Sequence, residues 1–172
     1  MIVETDGYRF DFKDALEAFV FDETDKRRLN YHGMTMLKAV DMVVELRDRY
    51  LFVEIKDYAD AAQFEYSPAD DEPATADAPV RLKWLKNYLK EKYRDTFLYR
   101  YAEDKVDKPV MYLCLLNFDS ALSGHLSKIL RYELPVGRAG CPRWKRELAT
   151  ACHVVDLKKW NERFPWPAVR LS

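Results

Sequence analysis

The chain has 172 residues, 48% apolar, 33% charged and 14% aromatic, the make-up of one domain with a sizeable core, which excludes a globally disordered chain. No run approaches the roughly 18–20 apolar residues of a membrane helix and no signal-peptide pattern is read, so a cytoplasmic protein without a membrane partner is expected. The formal charge of −1 conceals a division: residues 1–80 hold 9 Lys/Arg against 19 Asp/Glu and residues 81–172 hold 19 against 10, so a polyanion partner is not excluded.

Residues 2–10 alternate around Asp6-Gly7, which predicts a tight hairpin. Phe12, Ala15, Leu16, Phe19 and Val20 follow helical spacing and predict a helix over 11–21. The segments 41–46 (DMVVEL) and 50–58 (YLFVEIKDY) are rich in β-branched and aromatic residues, and the short Arg47-Asp48-Arg49 link makes them an antiparallel hairpin. Residues 65–79 carry five carboxylates, three prolines and no base, the composition of a flexible loop inside a single domain spanning 1–172. An amphipathic helix over 80–101 follows, with Leu82, Leu85, Leu89 and Tyr93 on one stripe and Lys83, Lys86, Lys90 and Arg94 off it. The apolar run VMYLCLL (110–116) reads as a central strand, and Asp119 or Ser120 caps a helix to about Glu133. Residues 150–157 predict the last main strand and KKWNERF a closing helix. The order implies a layered α/β domain with a mixed sheet.

The central hairpin carries the chemistry. A turn centred on Asp48 sets paired positions to sum to about 96 and puts Asp41 across from Ile55, beside Glu54 and Lys56. Alternation gives Glu54 and Lys56 one face, shared with Phe52. Two carboxylates are hard oxygen ligands suited to Mg²⁺, and a neighbouring lysine can orient or deprotonate a water or neutralise charge on phosphorus. The same residues could instead be the solvated face of an amphipathic hairpin, paired across its strands.

Asp41, followed after twelve residues by Glu54-Ile55-Lys56, resembles the core motif of the PD-(D/E)XK, or restriction-endonuclease-like, nuclease superfamily. The resemblance implies a three-layer α/β domain with a mixed central sheet flanked by helices, and hydrolysis of DNA phosphodiesters with Mg²⁺ or Mn²⁺. It implies that Asp41, Glu54 and the Ile55 carbonyl are metal ligands and that Lys56 is the catalytic lysine. Glu17, with Asp14 as fallback, is the candidate for the first-helix acid that some members add. DNA is then the expected partner, with a homodimer or larger assembly open. The alternative is a non-catalytic module of the same fold, serving as a nucleic-acid or protein interaction subunit.

Phosphate contacts are sought in the loop 135–146, where Arg138, Arg143, Lys145 and Arg146 accompany Gly137, Gly140 and Trp144, and on the lysine face of the long helix. Cys114, Cys141 and Cys152 read as reduced thiols. They form no zinc spacing with His32, His125 and His153. Ser123-Gly124-His125 lies within a predicted helix, which argues against a hydrolase triad. Trp160, Phe164 and Trp166 would cap the core or form a dimer patch.

Overall fold

The computed structural model describes residues 1–57, 78–117, 120–134, 136–137 and 143–171. Most of the acidic segment 65–79 lies outside these residues, as do Asp119, Arg138, Gly140 and Cys141. Strands β1 (Ile2–Thr5) and β2 (Tyr8–Asp11) pair antiparallel as predicted, with Thr5 opposite Tyr8. Asp6 and Gly7 turn the chain at φ 50° and 73°, left-handed values that a two-residue hairpin requires and that Asp-Gly tolerates best.

The main sheet has the order β3-β4-β5-β6-β7, with β3 (Glu17–Val20), β4 (Met42–Glu45), β5 (Tyr50–Lys56), β6 (Val110–Leu116) and β7 (Ala151–Val155). Its first three strands are antiparallel, and β5, β6 and β7 run parallel. Parallel neighbours need crossovers, supplied by α1 (Ala78–Ala102) and α2 (Ser120–Glu133). Helix α3 (Leu157–Arg163) starts at Asp156, whose carboxylate accepts the Lys159 N–H at 2.8 Å, and β8 (Ala168–Arg170) then joins β2.

Two cores lie on the two faces of the main sheet. Phe52, Tyr112, Cys114 and Cys152 pack beneath α1 and α2 with Leu89, Leu126 and Leu130. Met42, Leu51, Val53 and Leu113 pack against Phe10, Phe12, Trp160 and Trp166. The domain is therefore α/β, with helices on one face and a small sheet plus α3 on the other. Cys114 and Cys152 are buried free thiols on neighbouring strands, and burial pushes both thiols up, Cys152 to about 12. No helix among the described residues is long and apolar enough to cross a membrane.

The helix expected over 11–21 is a strand. Residues Glu17–Val20 pair with Glu45–Met42, and Leu16 N–H donates to the Glu45 carbonyl at 2.8 Å. The helical spacing of five apolar residues is also what a chain shows when it feeds both cores: Phe12 enters one and Phe19 packs on the other. The edge of β4 supplies the partner that decides between the two conformations. Strand β8 was not anticipated, because its three residues are held by β2 and not by a pattern of their own.

Candidate functional site

The hairpin β4–β5 forms with a register one residue from expectation: Met42 faces Val53 and Glu45 faces Tyr50. One step beyond the ladder, Asp41 is level with Glu54 in place of Ile55. Directly opposed residues share a face, so both carboxylates point to the α1 side. Side chains of α1 hold the approach to Asp41. Lys38 N–H donates to Asp95 at 3.0 Å, Lys38 Nζ to Glu91 at 2.9 Å, and Val40 N–H to the Thr96 hydroxyl at 2.9 Å. The Asp41 carbonyl accepts Phe21 N–H at 2.8 Å, and its Oδ2 accepts the Ile55 N–H.

Helix α1 also delivers a residue that the hairpin alone does not predict. Lys92 Nζ lies 3.4 Å from Asp41 Oδ1, 3.4 Å from Glu54 Oε1 and 4.0 Å from Asp22 Oδ2. The Asp41 and Glu54 oxygens are therefore no more than twice 3.4 Å apart. Asp41, Glu54 and Lys92 are all buried, and Asp22 is partly exposed at the rim. Lys56 stands over the Tyr88 ring at 4.5 Å and the Trp84 ring at 5.3 Å, a cation–π placement that keeps its charge beside Glu54.

Three carboxylates meet two ammonium groups here, so the cluster carries surplus negative charge in a place with little water. Burial raises Glu54 to about 7, and the Lys92 charge only partly opposes it. Burial, then the Glu54 charge, raises Asp41 well above the usual carboxylate range. Asp22 is raised by burial as well, with the Lys92 charge opposing the shift. Burial alone would lower Lys92, but Glu54 and Asp41 outweigh it and hold the ammonium protonated. The Glu54 carboxylate faces Lys92 and Tyr88, and its two oxygens are of the hard type that suits a divalent cation. Among the described residues no group of three His, Cys, Asp or Glu side chains could hold a metal ion. What the structure brings together is Asp41 and Glu54, with Lys92 at 3.4 Å from each.

The other expected residues are elsewhere. Glu17 is exposed and faces Glu45, at the opposite end of the β3–β4 ladder, about 13 Å along the strand from the level of Asp41. Asp14 accepts the Trp166 indole N–H at 2.7 Å. Neither reaches the cluster, and Asp22, two residues past β3, is the acid that does. Arg143, Lys145 and Arg146 are exposed on the loop before β7. The lysine face of α1 is partly neutralised, because Lys86 and Lys90 both bind Glu133 at 2.6 Å. His32 stacks on Phe21 and Tyr99, with ring centroids at 5.2 and 5.0 Å, a packing role. Trp160 and Trp166 close the second core, with the Trp160 N–H on the Trp166 carbonyl at 2.6 Å. A cavity of about 840 Å³ between β3 and the end of α1 mixes acids and bases, among them Glu17, Arg28 and Lys105, and excludes all three carboxylates of the cluster.

Lys92 was legible in principle. It falls seven residues after Leu85 and three after Leu89, on the apolar stripe of α1, and a lysine on a buried stripe needs an acid to meet it. No family model, curated protein or solved structure matches the chain.

Proposed function

We propose that the chain is a metal-dependent phosphodiesterase acting on DNA, with a PD-(D/E)XK-type site in a restriction-endonuclease-like domain. One observation carries the reading: Asp41 and Glu54 are level on one sheet face beneath α1, each 3.4 Å from Lys92, with Lys56 on the same face. The site also lies at the carboxyl end of β5, where parallel strands present ligand sites in open α/β sheets.

Asp41, Glu54 and the Ile55 carbonyl would hold Mg²⁺ or Mn²⁺. When bound, the ion supplies a water of lowered pKa and an electrophile for a phosphate oxygen. The chain's own groups do the rest. Lys56, held by the Tyr88 and Trp84 rings, orients that water or offsets charge developing on the phosphate. Lys92 keeps the two buried carboxylates together, with Asp22 at the rim 4.0 Å from the same ammonium. The Ile55 N–H fixes which Asp41 oxygen is turned away from the strand.

Calorimetric titration of Mn²⁺ into wild type and Asp41→Ala, with cleavage assays on single- and double-stranded DNA, tests this. Wild type should bind the ion and cut, Asp41→Ala should lose binding, and Lys56→Ala should bind while cutting at least about 100-fold more slowly. Cleavage that survives both substitutions removes the site from the reaction.

The closure of the cluster by Lys92 favours one second reading: a module that keeps the fold, carries its own cation and serves as a nucleic-acid or protein interaction subunit. Wild type that takes up no ion and cuts nothing selects it.

A further inference from the structure

Helix α2, the edge strand β7 and α3 enclose a recess of about 460 Å³ whose charge is the reverse of the β5 cluster. Lys128 and Arg131 reach it from α2, Lys159 and Arg163 from α3, and His153 from β7. Lys159 is paired with Asp156 at 3.3 Å. Lys128, Arg131 and Arg163 have no ion pair among the described residues, and no carboxylate lines the recess.

Two features distinguish this recess from a merely basic surface. The Ser123 side chain lines it, is 1% exposed, and has a hydroxyl with no hydrogen-bond partner. A buried hydroxyl without a partner is destabilising and asks for an acceptor. Next to it, Gly124 stands inside a helix, where glycine is less favourable than alanine. A Cβ there would meet nothing within 4 Å, so packing does not require the glycine, and its absent side chain keeps the recess open. Ser127, one turn on, is already engaged at the edge of β7, where its hydroxyl oxygen accepts the Val154 N–H at 3.4 Å.

We propose that this recess is a phosphate-binding site: Ser123 supplies a neutral hydrogen bond, Arg131 and Arg163 supply planar donors from two helices, and Gly124 gives close approach. Guanidinium groups suit phosphate oxygens through paired N–H donors. The preferred source of the phosphate is a nucleic-acid backbone, a choice that rests on reading the β5 cluster as a phosphodiesterase. In the sheet, His153 is level with Leu113 and Leu113 with Val53. The edge strand of the recess thus stands two strands from β5, about 10 Å between their backbones.

The test uses the full chain in EDTA, so that failure of the metal site leaves it unaffected. Fluorescence anisotropy measures binding of a labelled single strand and of a duplex across a salt series, for wild type, Arg131→Gln/Arg163→Gln and Gly124→Glu. Inorganic phosphate is titrated separately against the Ser123 and Gly124 amide resonances. Both variants should weaken oligonucleotide binding about tenfold or more at low salt. The salt slope of the arginine double variant should fall by about 0.9 per lost phosphate contact on duplex. Phosphate that shifts the two amides, with oligonucleotide affinity independent of the arginines, keeps the site and makes a free phosphoryl group its ligand. Unchanged oligonucleotide binding in both variants, together with unshifted amides, overturns the proposal.

Discussion

The cluster beneath α1 and the recess beside β7 treat charge in opposite ways. The first buries Asp41 and Glu54, with Asp22 at the rim, around Lys92 and Lys56; the second leaves Lys128, Arg131 and Arg163 exposed with no acid to meet them. Burial decides what each can do. A carboxylate surplus out of water shifts its own protonation and draws in a cation. An exposed cation surplus keeps its charge and acts through steering and screening. The near-neutral sum of the chain therefore has two unlike halves: one demands a counter-charge locally and the other offers charge to solvent.

The largest expected effect breaks the first side of that comparison. Lys92→Met leaves Asp41 and Glu54 without their ammonium and should cost about 3–5 kcal/mol of stability. Denaturant unfolding with and without Mn²⁺ checks it. A divalent ion that takes over the lysine's position should restore part of the loss in the variant and raise wild type less. A cost below 1 kcal/mol would mean that the ammonium does not hold the cluster.

The next effect depends on pH. Glu54 is raised in the folded state to about 7, so it contributes stability that is full below its unfolded value, about 4.5, and is lost as pH rises through 7. Glu54→Gln lacks this dependence. Wild type should therefore lose stability relative to the variant between pH 5 and 8, by up to about 3 kcal/mol. Thermal unfolding of both proteins across that range measures it, and parallel curves would refute it. The half-buried His32 and His153 are present in both proteins and cancel in this difference.

A smaller change sharpens the second side. Glu133→Gln releases Lys86 and Lys90, which lie at 2.6 Å in partly exposed pairs. It should cost less than about 1 kcal/mol while tightening oligonucleotide binding at low salt, read by the same anisotropy series.

The legible parts of the molecule are those with a local cause. Asp6-Gly7 makes its hairpin, the β-branched runs make β4 and β5, and Asp41 comes beside Glu54 within one residue of the expected register. The apolar run 110–116 is the central strand that its composition demands. What was not legible depends on pairing at a distance. Residues 17–20 are a strand because β4 needs a neighbour. Asp22 and Lys92 are 70 positions apart in the chain and meet only after α1 has crossed the sheet. The basic recess draws on α2, β7 and α3, and none of these carries a recognisable motif alone.

The two buried thiols give the sheet an internal clock. Cys114 stands opposite Val154, and Cys152 opposite Tyr112, across the β6–β7 seam. Both are fully covered, and their raised values leave almost no thiolate at neutral pH. Reagent reaches them when β6 and β7 separate or the helices above lift away. The labelling rate of these two sulfurs thus times the opening of the parallel half of the sheet, without any added probe.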